Sequence, residues 1–260
     1  MLNQQCVVLS IWMNRNNMEA ERIIRNNEYD MKAYEHINSH NKKLMYQREF
    51  VQVPNRMLVK RMIYPEGNMI TNHEHHCAHG DFVLKGTMHT NVGDFGPGDF
   101  VWFKEGYKMY HGATDEAVDV LYMTNKPLDM VYYDEPYSHE SDDSNSAICL
   151  PKNSYDMKDF PHTNSKTKKT LYQKFFVEDE ETGATIKRII YPAGCMIPWH
   201  THTCNHGLYV LKGKLVTNVG DFGPGDFVWF KAGTQMYHGA EEEDVDVLFM
   251  SDSKVDINYL

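Results

Sequence analysis

The chain has 260 residues, which at roughly 100–200 residues per domain allows one large domain or two small ones. Hydrophobic residues make up 42% of it and charged residues 24%, enough apolar surface to offset chain entropy, so disorder of the whole chain is excluded. A formal net charge of -10 argues against nucleic acid and anionic membranes as main partners.

The apolar run Cys6 to Met13 is far shorter than the roughly 18 residues that span a bilayer, and no basic flank marks it as a signal peptide. The expectation is a cytoplasmic protein. Its five cysteines are odd in number and form no CxxC, so no disulfide framework is expected. Met18 to Asn26 reads as a short helix inside an N-terminal extension, residues 1–26.

Beyond that extension the chain repeats itself. Lys60 to Ala113 aligns without gaps on Lys187 to Ala240, with 38 of 54 positions identical. Thr90 to Lys104 recurs letter for letter at Thr217 to Lys231. With one residue of slack the match runs upstream through Tyr46-Gln47 against Tyr172-Gln173 and Tyr29-Asp30-Met31-Lys32 against Tyr155-Asp156-Met157-Lys158. The units expected are 27–133 and 153–260, of domain size rather than solenoid size. Between them, residues 134–152 read as a linker, polar and acidic over Asp134 to Ser146.

Each unit carries strand signals. In the second, Lys187 to Tyr191 is a β-branched and aromatic run that ends at Pro192. Leu208 to Leu211, Phe227 to Phe230 and Val245 to Met250 follow, separated by Gly213, Gly225 and Gly233. Short strands with Gly/Pro punctuation predict an all-β antiparallel sandwich or barrel, and no helical pattern suited to a parallel α/β sheet lies between them.

The decisive feature is where the histidines fall. The second unit reads His200-Thr-His202, then His206, then His238 at the end of a distant apolar run; the first unit places His73, His75, His79 and His111 at the matching positions. Residues two apart on a strand share a face. Four imidazoles converging inside a barrel repel when protonated and lack partners when neutral, and a divalent cation removes both problems. Imidazole nitrogen suits Fe, Zn, Mn, Ni or Cu. The prediction is one transition-metal site per unit, two per chain. His36, His40, His76, His89, His139 and His162 read as ordinary surface or core residues.

These residues carry a family resemblance. Gly194-(x5)-His200-x-His202-(x3)-His206-(x6)-Gly213 resembles the first cupin motif with its glutamate replaced by His206. Gly225-(x5)-Lys231-Ala232-Gly233-(x4)-His238 is similar to the second, departing from it at Lys231, where proline is usual, and by two extra residues before the histidine. Both copies match, so the chain resembles a bicupin. Glu180 to Thr185 followed by Arg188, Pro192-Ala193-Gly194 and the histidines resembles more narrowly the ChrR-like cupins, which include acetylacetone dioxygenase and 2,4'-dihydroxyacetophenone dioxygenase. The resemblance implies two tandem jelly-roll β-barrels with a metal in the mouth of each. It also implies a small-molecule substrate and a monomer or homodimer, since fused barrels supply each other the partner that single cupins find by dimerising.

Four neutral ligands leave the metal its full double charge, which favours enolates, carboxylates and phenolates. That geometry suits a diketone, hydroxyketone or phenolic ketone. Dioxygenase-type C–C cleavage, implied by the resemblance, stands beside a non-oxidative hydrolase, lyase or isomerase and beside a metal- or ligand-sensing module. Around the ligands, Cys77 and Cys204 occupy equivalent places. Asp81 in the first unit is Leu208 in the second, and Asn72 is Trp199. The second pocket is therefore expected to be the drier, with Trp199 near its mouth.

Overall fold

A computed structural model describes residues 20–133 and 147–260. The run Cys6 to Met13 and most of the expected linker, 134–146, lie outside the described residues. The chain divides into two compact units, 29–156 and 157–260, the second also holding the residues up to Glu28.

In the second unit a seven-stranded antiparallel sheet runs Arg22–Ile24, Phe227–Phe230, His206–Lys212, Val245–Ser251, Thr185–Tyr191, Thr170–Glu178 and Pro161–Thr163. A five-stranded sheet faces it: Gly220–Phe222, Leu215–Thr217, Met236–Gly239, Met196–Thr201 and Asn258–Tyr259. The first unit repeats this plan. Its large sheet runs Ala147–Leu150, Phe100–Phe103, His79–Lys85, Val118–Thr124, Leu58–Tyr64, Leu44–Gln52 and Glu35–Ile37. Its small sheet is Val131–Tyr132, Met69–Glu74, Met109–Gly112, Met88–Thr90 and Gly93–Phe95. The all-β expectation of tandem jelly rolls holds in both.

Alternation along the strands builds each interior. On Thr185–Tyr191, Ile189 and Tyr191 enter the core beside Leu208, Val228, Phe230 and Val247. Arg188, of opposite parity, pairs with Asp246 at 2.5 Å on the other face. Arg61 and Asp119 make the same pair at 2.6 Å in the first unit. Gly213 turns the second unit's chain with φ +79°, and a Cβ there would lie 2.3 Å from the Asp244 carbonyl oxygen, so only glycine closes this corner.

Two segments differ from expectation. Arg22–Ile24, inside the region read as helix, is a strand paired antiparallel with Phe227–Trp229; its β-branched pair finds more to pack on than an isolated helical turn would. Ala147–Leu150, inside the expected linker, pairs with Phe100–Phe103. Each covers an otherwise open sheet edge, and the two are equivalent by the repeat. Ile24 is 4% exposed. Ile24→Asp buries a carboxylate and is expected to destabilise the second unit by about 2–4 kcal/mol; an unchanged melting profile by calorimetry would show that this edge strand adds no stability.

Candidate metal centre

Strand parity and two short loops gather the histidines. His200 ends the strand Met196–Thr201, His202 follows it, His206 opens the next strand, and His238 comes from Met236–Gly239 in the small sheet. All four are buried, between 0% and 6% exposed. Ring centroids lie 4.8 Å apart for His200 and His202, 5.0 Å for His200 and His238, and 4.4 Å for His202 and His206. One ring nitrogen from each of His200, His202 and His238 falls within 4.8 Å of the other two. In the first unit the separations are 4.9 Å for His73 and His75, 5.0 Å for His73 and His111, and 4.3 Å for His75 and His79. The predicted histidines thus lie ring beside ring, four in each unit, and in the second unit three of them bring nitrogens within 4.8 Å of one another.

Backbone carbonyls set the tautomers. His200 Nδ1 donates to the Pro198 carbonyl at 2.7 Å, and His73 Nδ1 to the Thr71 carbonyl at 2.7 Å. His202 Nδ1 donates to the Asp256 carbonyl and His75 Nδ1 to that of Asp129. A carbonyl oxygen only accepts, so Nδ1 carries the proton and Nε2 the lone pair in these four rings. Nε2 of all eight histidines is buried without a hydrogen-bond partner. Eight buried, partnerless nitrogens would be costly in a finished interior. They have the chemistry of a cation's donor set, and the residues fit a divalent metal.

The electrostatics agree. Burial, reinforced by the neighbouring His75, holds the His73 imidazole down to about 3. Burial, reinforced by His200, holds His202 down to about 4. His79, His111, His206 and His238 fall well below the usual imidazole range for the same reasons. Neutral imidazole is the ligating form.

A cavity of about 350 Å³ opens on the second quartet, lined by His200, His202 and His238 with Ile197, Phe249 and Tyr259 among others. His206 stands behind it, 0% exposed. The corresponding cavity of the first unit, about 310 Å³, is lined by His75, His111, Lys60, Tyr64, Tyr122 and Tyr132 among others. His36 and His162, read as ordinary residues, line these two cavities from exposed positions.

The flanking residues divide. Cys77 and Cys204 are buried, and burial pushes both thiols up to about 12, so they pack as neutral thiols beside the quartets. Each lies in a cluster with a predicted ligand and an aspartate, His75 with Asp129 and His202 with Asp256. Trp199 is not among the cavity-lining residues: adjacent strand residues point oppositely, and its ring meets Tyr237 edge-on at 5.0 Å. Leu208 joins the core. Asp81 is buried with neither carboxylate oxygen hydrogen-bonded, and burial pushes its carboxyl up to about 7 against the charge of Lys60.

Several contributors escape local reading. Asp129 and Asp256 accept the backbone N–H of His76 at 2.8 Å and of Thr203 at 2.7 Å, which fixes the carbonyls that orient His75 and His202. Tyr64 and Tyr191 meet His111 and His238 edge-on at 5.7 Å. Lys60 and Lys187 line the cavities. The aspartates lie 54 residues from the histidines they support, whereas the lysines and tyrosines sit on the strand just before the histidine motif; the sequence signal is that each recurs in both copies at the same offset.

With this geometry in view, comparison with known proteins is informative. A cupin domain model matches residues 187–251, the stretch from Lys187 through all four second-unit histidine positions to the strand Val245–Ser251. A "putative dioxygenase" from Nostoc punctiforme superposes with a TM-score of 0.67 at 13% identity, over 84% of this chain and 78% of that one. Oxalate decarboxylase from Lactobacillus farciminis, solved with formate, superposes at 0.59 and 12% identity over 94% of this chain and 89% of that one. The fold is that of a bicupin. Oxalate decarboxylase from Bacillus subtilis, described with Mn(II) centres, superposes on the bicupin at 0.57 and 12% identity over 94% and 80% of the two chains. No curated protein sequence matches the chain. Among the described residues no helix is long and apolar enough to cross a membrane.

The depressed imidazoles give the bicupin a definite acid response in metal-free form. The folded state favours neutral histidine, so below the ordinary value of 6.5 the unfolded chain binds more protons. The stabilisation is complete above that pH and is lost as pH falls toward about 4 for His202 and about 3 for His73. By pH 5 each of these two rings is expected to cost about 2 kcal/mol. Thermal melts of metal-free protein should therefore show a marked drop between pH 7.5 and 5, and a midpoint that holds or rises on acidification contradicts the burial of these rings.

Proposed function

We propose that this bicupin is a metal-dependent enzyme acting on a small oxygenated molecule. The substrate we favour is a diketone, hydroxyketone or phenolic ketone, and the reaction dioxygenase-type C–C cleavage. The observation that carries the reading is the set of eight buried Nε2 atoms without partners, four in each half. His73, His75, His79 and His111 would hold one divalent transition metal, and His200, His202, His206 and His238 a second. A metal held this way supplies Lewis acidity and open positions for a pair of substrate oxygens or for dioxygen.

The chain's own residues supply the rest. The carbonyls of Pro198 and Asp256 keep the His200 and His202 rings aimed. Leu171, Ile189, Ile197 and Val255 give the second cavity apolar walls that keep bulk water away. Tyr259 Oη accepts from Asn164 Nδ2 at 2.6 Å, which leaves its own O–H to donate to a substrate oxygen. Tyr132 and Asn38 repeat the arrangement at 2.9 Å in the first unit.

Elemental analysis of anaerobically purified protein, paired with dioxygen uptake on a panel of diketones and phenolic ketones, tests the proposal. Iron with dioxygen consumption supports it; turnover without dioxygen moves the reaction to the hydrolase, lyase or isomerase class. His200→Ala is expected to halve the metal content per chain, and His73→Ala likewise, whereas an unreduced metal content in both variants removes the ligand assignment.

A further inference from the structure

Lys60 and Lys187 occupy equivalent positions and are 9% and 8% exposed. Lys187 shares parity with Ile189 and Tyr191, so it faces the barrel interior, and it lines the cavity that also holds His200, His202 and His238. Its Nζ donates to Gln173 Oε1 at 3.2 Å and lies 4.8 Å from the Phe249 ring and 4.9 Å from the Phe175 ring. Lys60 Nζ donates to Gln47 Oε1 at 3.0 Å and lies 4.9 Å from the Tyr122 ring. An ammonium has three donors, and one amide oxygen engages one of them. Among the described residues, neither lysine has a carboxylate within ion-pair distance.

What surrounds the two lysines differs. In the first barrel, Asp81 and Glu49 both act electrostatically on Lys60, and Glu49 stands directly opposite it across the strand ladder. In the second, Leu208 replaces Asp81 and Phe175 replaces Glu49, again directly opposite the lysine. Beyond the buried, protonated Cys204 thiol, only the exposed Glu178 acts on Lys187. The repeat has thus kept a buried cation and, in one copy, replaced both Asp81 and the exposed Glu49 by apolar side chains, leaving the exposed Glu178 as the one carboxylate among the described residues that acts on it. A buried cation on an apolar cavity wall without an ion-pair partner is costly and calls for an anion from outside.

We infer that the second cavity takes a ligand bearing a carboxylate, which Lys187 binds while the ligand's oxygenated end faces His200, His202 and His238. The first cavity, where Asp81 and Glu49 act on Lys60, selects for that anion less strongly. A single ammonium with two free donors matches a monoanionic carboxylate better than a dianionic phosphate. Burial lowers the Lys187 ammonium to about 8, so it remains largely protonated at neutral pH. The inference deepens the proposed function and rests on it only for the end of the ligand that faces the histidines.

Two probes with the same diketone head separate the contributions: 4,6-dioxoheptanoate and neutral heptane-2,4-dione. Calorimetric titration into the full chain, zinc-loaded and metal-free, is expected to show about tenfold tighter binding of the carboxylate. The preference should persist without zinc, because the lysine reads the carboxylate while zinc strengthens binding of the diketone. Lys187→Met should abolish the preference. Lys187→Arg should retain it, and so should Lys60→Met. Leu208→Asp, which rebuilds the first barrel's balance, should weaken it. Equal affinity for both probes in the wild-type chain overturns the inference, as does an unchanged preference in a Lys187→Met variant with normal zinc content. A chain that takes up no zinc yet still prefers the carboxylate sinks the proposed function and leaves this inference standing.

Discussion

A neutral imidazole offers one donor and one lone pair, and the structure depends on what happens to the lone pairs. In each barrel four rings are buried to at most 6% exposure, and in two of them the proton-bearing nitrogen is tied to a backbone carbonyl. The remaining nitrogens turn inward with no partner. An interior of close-packed apolar side chains does not tolerate such atoms without something to bind them. Crowding also suppresses protonation, since each ring that gained a charge would do so beside three others and away from solvent. The arrangement has the chemistry of a cation's donor set.

The barrel makes this arrangement reproducible. A two-residue step along a strand returns a side chain to the same face, so His200 and His202 meet at 4.8 Å without any special loop. The small sheet then carries His238 across to them, through pairing of Ile197 with His238. Further support comes from the segment just before the last strand, where the Asp256 carbonyl orients His202 from 54 residues away. The histidine cluster is therefore held by the sheet framework, with rotamers fixed by packing and by hydrogen bonds behind the rings.

Duplication preserved this framework and let the walls diverge. The clustered histidines, their supporting carbonyls, the tyrosines beside His111 and His238, and the buried lysines recur in both copies. The residues facing those lysines do not: a carboxylate pair in one barrel corresponds to leucine and phenylalanine in the other. A change of two side chains, one pair buried and one exposed, alters the electrostatic character of a cavity while leaving the strand register untouched.

The sequence by itself determined the repeat, the all-β class and the eight histidines, because period-two alternation and fixed spacing are local properties that survive without coordinates. It also marked Asp81 against Leu208 as a place where the copies differ. Tertiary structure decided the rest. Trp199 faces away from the cavity because its neighbour His200 faces in. Arg22–Ile24 and Ala147–Leu150 are strands because open sheet edges elsewhere in the chain accept them, a pairing no local pattern encodes. Asp256 and Tyr259 come from the chain's last residues and Lys187 from the strand before His200, and only the closing of the barrel brings them to the second quartet.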